Sequence, residues 1–275
     1  MLASDITEQI FIKKSFLCIG LDTDIDKIPK HLLSLPNPIL EFNKQIISAT
    51  HDLCVAYKPN TAFYEMMGAE GWNILKSTAE FIPKNIFTIA DAKRGDIGNT
   101  SSYYAKAFFE NLKYHAVTVA PYMGSDSVKP FLEYKNNVTI VLGATSNEGA
   151  EDFQFLKIEK NGMELFKNII SATASWGNPE NLMFVVGATR PELFLEIRKI
   201  VPHHFLLVPG VGAQGGNLAA VSAAGLNDKV GLLVNASRNI IYAGSGEYFA
   251  EQARAAALLL QQEMEKLLVA NNLLT

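Results

Sequence analysis

The sequence predicts an α/β fold, a (β/α)₈ TIM barrel in which residues 1–275 form a single domain, on three observations. Eight short runs of β-branched and apolar residues recur along the chain, and helix-length amphipathic segments separate them. No Pro/Gly/Ser-rich linker interrupts the alternation, which argues for one repeating βα unit rather than two joined domains. The runs are continuously apolar, as suits parallel strands covered on both faces. Periodicity does not show closure, so a doubly wound open sheet satisfies the same pattern.

The first strand is FLCIGLD (16–22), followed by the helix NPILEFNKQIISATHD (37–52), whose Ile39, Leu40, Phe42, Ile46 and Ile47 form an apolar stripe. LCVAYK (53–58), IFTIAD (86–91), AVTVAP (116–121) and VTIVLG (138–143) are the next four strands. The connection from Thr145 to Gly162 is long and carries SNEGAED, which suits either a functional lid or a surface excursion. NGMELFKNIISATASW (161–176) is again amphipathic and leads to the strand LMFVVGA (182–188). RPELFLEIRKIV (190–201) places Pro191 where a helix accepts it, at its first position. HFLLVPG (204–210) and VGLLVN (230–235) complete the strands, and a helix over 247–271 closes the ring.

Composition narrows the function. At 48% apolar and 19% charged residues the chain is neither disordered nor fibrous. The charge sum is 24 − 28 = −4 with no block of one sign, which argues against a nucleic-acid or membrane-surface binder. Cys18 and Cys54 lie in apolar runs and are expected to be buried, reduced thiols. The first residues lack an apolar segment with a cleavage site, and QQEMEK interrupts the Leu-rich tail, so the expected location is cytoplasmic.

Chemistry in a barrel sits at the carboxyl ends of its strands. Here the first three strands end in Asp22, Lys58 and Asp91, and DAKRGDIGNTS (91–101) follows directly. Asp91 and Lys93 are two apart, so an extended strand end points both to one side; Asp96 and Thr100 follow in a turn and an incipient helix. Singly, each has an ordinary explanation: a capping Asp22, a solvated Lys58, Asp96 or Asn99 as a helix cap. Together they predict alternating charges in a partly dry cavity, with Lys93 an ammonium and Asp91 a carboxylate. Such an ammonium can protonate a carbanionic carbon, while the carboxylate repels a substrate carboxylate unless it departs as CO₂.

PGVGAQGG (209–216) contains G-x-G-x-x-G, but the chain about 20 residues on offers no acid for a ribose, so a dinucleotide site is not expected. In a barrel the loops after the seventh and eighth strands build a phosphate site, and Gln214 and Arg238 stand where they would serve one. Two tight turns and a surface arginine are the plain alternative. No GxxxxGK[ST], HExxH, GxSxG or paired CxxC occurs, and the five histidines have no metal-ligand spacing. His115, His203 and His204 fall near strand starts, the stability end of a barrel.

At DAKRGDIGNTS the chain resembles the orotidine 5′-phosphate decarboxylase family, in its longer bacterial branch. LDTD, YKPN, DAKRGDIGNT, TSNEGAEDFQ, VVGATRPE, PGVGAQGG and NASRNIIYA occur in the family's order over nearly the whole chain. The resemblance implies a closed barrel, usually a homodimer, that converts the nucleotide orotidine 5′-monophosphate to UMP and CO₂ without metal or organic cofactor. It implies that Lys93 protonates C6, that Asp91 faces the departing carboxylate, and that Lys58 and Asp96 complete the charge network. Asp22 and Lys58 would hold ribose hydroxyls, Gln214 and Arg238 the phosphate, and Ser146 the pyrimidine. Asp96 and Thr100 would reach into the partner's site. Glu148, Ala144 and Ser237 depart from common family residues, in the lid and phosphate regions. Two rivals stay open: Mg²⁺-dependent sugar-phosphate relatives that share D-x-K-x-x-D, and a silent nucleotide-binding barrel.

Overall fold

A computed structural model describes residues 1–274 apart from 213 and 214. Its strands are β1 (Leu17–Gly20), β2 (Ala56–Lys58), β3 (Phe87–Arg94), β4 (Ala116–Val119), β5 (Val138–Ala144), β6 (Leu182–Val186), β7 (Leu206–Pro209) and β8 (Leu232–Ala236). All eight are parallel and close in sequence order, because β1 pairs with β2 through Cys18↔Ala56 and with β8 through Cys18↔Asn235. Closure removes both sheet edges and excludes the open-sheet alternative.

The helices are α1 (Ala3–Lys13), α2 (Pro38–Thr50), α3 (Ala62–Glu65), α4 (Ala69–Phe81), α5 (Gly98–Lys106), α6 (Ser125–Leu132), α7 (Leu165–Ala174), α8 (Glu192–Ile200), α9 (Leu218–Gly225), α10 (Arg238–Ile241) and α11 (Phe249–Ala270). Their inward stripes bury against the strands: Phe42 and Ile46 of α2, Phe166 and Ile170 of α7, and Phe194 and Ile197 of α8 are fully enclosed. The strands are buried along almost their whole length, as the unbroken apolar runs require. Cys18 and Cys54 are buried free thiols. Among the described residues no helix is long and apolar enough to cross a membrane.

Helix α1 lies outside the strand–helix alternation. It buries Ile6 and Ile10, donates from Ala3 N–H to the Glu180 carbonyl (3.2 Å), and ends with Lys13 Nζ 2.8 Å from the carbonyls of both His51 and Cys54. Glu180 and Cys54 precede β6 and β2, so α1 straps the amino end of the barrel.

That end also holds two histidines, His204 buried and His115 partly buried. His115 accepts at Nδ1 from the Thr88 backbone N–H (3.1 Å), which requires a neutral ring. Burial pushes His115 down to about 4, helped by the terminal amine and Lys84, and burial with Arg198 nearby pushes His204 down to about 4. Both pKa values lie below the unfolded value of about 6.5, so unfolding takes up protons between these limits. The two histidines' contribution to stability is therefore fully present above pH 6.5 and is lost as pH falls towards 4, by up to about 1.4 kcal/mol per pH unit for each. Calorimetry from pH 7 to 4 should show this decline; a flat melting temperature across the window contradicts it.

Candidate active site at the carboxyl ends of the strands

Three ionisable side chains meet where β2 and β3 end. Lys58, the last residue of β2, is only 4% exposed and reaches Asp91 Oδ2 at 2.9 Å. Lys93 Nζ lies 2.6 Å from Asp91 Oδ1, which also accepts from the Thr118 hydroxyl at 3.0 Å. Asp91 is fixed through its backbone as well: its N–H donates to the Pro59 carbonyl (3.0 Å) and its carbonyl accepts from the Thr61 N–H (3.2 Å). Burial opposes charge on Asp91, but the Lys58 and Lys93 ammoniums outweigh it and hold the carboxyl far below the usual carboxylate range. Burial likewise opposes charge on Lys58, and Asp91 and Asp22 outweigh it, holding the ammonium above an ordinary lysine. The charges are thus locked together, with Lys93 the half-exposed member.

Lys93 does not continue an extended strand. Its φ is 48°, in the left-handed region that a side chain makes unfavourable by about 1–2 kcal/mol. The register of β3 against β4 shifts there, between Ala90↔Val117 and Arg94↔Val119. Asp91 and Lys93 do meet, but through this left-handed residue and not through simple alternation. The next residue is anchored: Arg94 forms an ion pair with Glu65, donates to the Ala92 carbonyl (3.0 Å), and lies over the rings of Tyr104 and Phe108.

Asp22 follows β1, and its Oδ1 is buried with no hydrogen-bond partner among the described residues. Its position is set by neighbours invisible to motif reading. The Tyr242 hydroxyl donates to the Asp22 carbonyl (3.0 Å) and accepts from the Asp24 N–H (2.7 Å). The Tyr64 hydroxyl donates to the Leu21 carbonyl (2.8 Å), and buried Asn43 ties Tyr64 to Thr23. A carboxylate oxygen without a partner among the described residues, near Lys58, suits a ligand hydroxyl.

Opposite lies the end of β5. Gly187 permits the approach of Ser146, since a Cβ there would come 2.6 Å from the Ser146 Cβ. Gln154 folds the following segment back, accepting from the Thr145 N–H (2.9 Å) and donating to its hydroxyl (2.7 Å). Glu148–Asp152 form a 3₁₀ turn in this segment, Arg190 pairs with Glu151, and its guanidinium lies 4.3 Å from the Phe155 ring centre. Beneath the segment is a mainly apolar cleft of about 410 Å³ whose lining includes Pro121, Leu142, Thr145, Phe153 and Gln154.

Beyond β7 the glycine segment turns tightly, with Gly210, Gly212 and Gly215 at φ 100°, 74° and 84°. Its Gly216 fits against Ala188, and Gly212 against Asn239 of α10, so this turn and the start of α10 sit side by side. Arg238 opens α10 and is exposed. Gln214 lies outside the described residues.

Asp96 and Thr100 make no ion pair or hydrogen bond with the charge cluster among the described residues. The Asp96 carboxylate accepts from the Ile97 N–H (2.8 Å), and among the described residues it forms no ion pair. Neither Asp96 nor Asn99 caps α5, which starts at Gly98 with Ile97 before it. Thr100 is exposed on α5, three residues from each of the exposed apolar side chains Ile97 and Tyr103.

With this geometry in view, the comparisons with known proteins are decisive. The model of the orotidine 5′-phosphate decarboxylase / HUMPS family matches residues 15–253. The chain belongs to that family. A Flavobacterium johnsoniae protein named orotidine 5′-phosphate decarboxylase is 60% identical over 271 residues, 98% of each chain. One of the same name from Bacteroides fragilis is 55% identical over 273 residues, 98% of this chain and 99% of its own. The solved OMP decarboxylase of Leishmania donovani superposes with TM-score 0.83 at 36% identity, over 97% of this chain and 99% of that one. The UMP synthase of the same organism superposes with TM-score 0.84 at 38% identity; the match covers 96% of this chain and 55% of that longer one.

Within the family frame the departures have physical settings. Ser237 stands against Gly20 and donates to its carbonyl (3.2 Å), joining the β8 end to the β1 end. Ala144 is buried at the end of β5, beside a second register shift, and Glu148 is exposed on the 3₁₀ turn.

Proposed function

We propose that this protein is a carboxy-lyase that converts orotidine 5′-monophosphate to UMP and CO₂, a step of pyrimidine nucleotide biosynthesis. The observation that carries the reading is the Lys58–Asp91–Lys93 cluster, a mostly enclosed carboxylate between two lysine amines of which one is half-exposed. The bond between C6 and the carboxylate carbon breaks, its electron pair stays on C6, and CO₂ departs. Lys93 Nζ gives C6 a proton and regains one from solvent. Asp91, ionised throughout, holds the Lys93 ammonium and repels the substrate carboxylate in the ground state. Asp22, with its bare Oδ1, and Lys58 take the ribose hydroxyls, and Ser146 the pyrimidine. Arg238, Gln214 and the glycine turn grip the phosphate. That remote grip favours closure of the 145–162 segment, which expels water and strengthens the electrostatics at C6.

Asp96 and Thr100 act across a homodimer interface in this reading. Support comes from the absence, among the described residues, of any bond between them and the cluster in their own chain, and from Ile97 and Tyr103, exposed apolar side chains close to them in sequence. Light scattering at micromolar concentration should give twice the chain mass; a monomer that retains full activity removes the cross-subunit role.

The test of the reaction follows the near-ultraviolet absorbance of orotidine 5′-monophosphate with the protein in excess EDTA. A change to the UMP spectrum is expected, and orotidine without its phosphate should react far more slowly. Silence with EDTA and with added Mg²⁺ rejects the reading. Activity only with Mg²⁺, or only on sugar phosphates, favours the HUMPS side of the family.

A further inference from the structure

We infer that Thr118 is a positioning residue for Lys93, an inference that rests on the decarboxylase reading above. The need for one arises from the slip of β3 against β4. Between Ala90↔Val117 and Arg94↔Val119, four steps along β3 face two along β4. A backbone N–H inside such an irregularity loses its regular ladder acceptor and needs another. For Lys93 that acceptor is a side chain: its N–H donates to Thr118 Oγ1 at 2.9 Å.

A hydroxyl accepts and donates at once. Having accepted from the Lys93 backbone, Thr118 Oγ1 donates its own proton to Asp91 Oδ1 at 3.0 Å. That oxygen is the one that receives Lys93 Nζ at 2.6 Å. The hydrogen bonds therefore run from the Lys93 backbone through Thr118 and Asp91 to the Lys93 ammonium. One buried side chain, 1% exposed, fixes both the left-handed backbone from which the amine projects and the carboxylate at which it rests. Thr118 is β-branched and lies within β4, so its rotamer is restricted and the oxygen inherits the rigidity of the strand. Arg94 is held separately by Glu65, the Ala92 carbonyl and two rings, which keeps the end of β3 in place when the hydroxyl is removed.

The test compares Thr118→Val, which keeps the shape and removes the hydroxyl, with Thr118→Ser, which keeps the hydroxyl. Wild type is first assayed on orotidine 5′-monophosphate; an inert wild type rejects the decarboxylase reading and this inference with it. Given an active wild type, Thr118→Val is expected to lower kcat by roughly 10- to 100-fold, the scale of a misplaced reacting group. UMP affinity should change by less than about threefold, because Thr118 is enclosed behind the cluster, and Thr118→Ser should return kcat to within about threefold of wild type. Three results overturn the inference: an unchanged kcat in Thr118→Val, a Thr118→Ser as slow as the valine variant, or a UMP affinity that falls in step with kcat. Thr118→Ala, which adds no bulk, is read by the same criteria if the valine variant does not fold.

Discussion

Lys93→Ala is expected to lower turnover of orotidine 5′-monophosphate by at least 10³- to 10⁴-fold, the upper range for loss of a general acid. The expectation follows from what the substitution leaves behind. Asp91 keeps Lys58 at 2.9 Å and the Thr118 hydroxyl at 3.0 Å, so the buried carboxylate is still paired and the fold survives. Alanine and lysine are similarly unfavourable at φ 48°, so the backbone penalty does not change sides. What goes is the proton for C6 and the positive charge beside the developing carbanion. Lys93→Arg should rescue little, because a guanidinium is a far weaker acid than an ammonium and cannot reproduce its point geometry. Stopped-time product assays and UMP titration check this together: turnover should collapse while UMP binding stays measurable. An alanine variant within tenfold of wild type ends the proton-donor assignment.

Arg198→Ala should damage the protein as severely by a different route. Arg198 is mostly buried on α8 and donates to four backbone carbonyls: Gly225 (2.7 Å), Val201 (3.2 Å), His204 (2.6 Å) and Gly231 (2.8 Å). Burial brings its pKa down to about 10, which leaves it charged at neutral pH. One guanidinium thus joins the ends of α8 and α9 to the entries of β7 and β8. Truncation strands several carbonyls that water reaches poorly, for a loss of about 3–5 kcal/mol. For a chain of this size that corresponds to a fall in Tm of roughly 6–20 °C by scanning calorimetry. Turnover per folded molecule in the cold should hardly change, because Arg198 sits at the amino end, away from the chemistry. A fall in Tm below about 3 °C refutes the account.

The two ends of the barrel were not equally legible in the sequence. Each of the eight apolar runs holds a strand, because alternation is a local property, although β3, β5 and β8 extend beyond their runs. Asp22 follows β1 and Lys58 ends β2 as expected, but Asp91 lies inside β3, which continues to Arg94. The left-handed turn at Lys93 is not local: it arises from a register shift that needs β4 to be seen. Thr118 had one available signal, a polar residue inside the apolar run AVTVAP, yet its role depends on two atoms of the neighbouring strand. Tyr242 and Asn43 were missed for the same reason, since they hold the Asp22 segment from far along the chain. Asp96 and Thr100 are close to Lys93 in sequence but make no ion pair or hydrogen bond with it among the described residues: Asp96 bonds the Ile97 N–H, and Thr100 lies beyond the Gly98 turn (φ 52°) on α5. Helix α1 escaped because it belongs to no strand–helix unit.

The pairing of β1 with β8 has a consequence for how the molecule is made. Cys18 and Asn235, which face each other across that seam, are 235 − 18 = 217 residues apart. At ribosomal rates of about 5–20 residues per second, β1 waits roughly 10–40 s for its second neighbour. During that interval the growing sheet has an unpaired edge of apolar strand, the feature most prone to pair with another chain. Synthesis therefore passes through a long, adhesive stage that ends only when the last strand arrives.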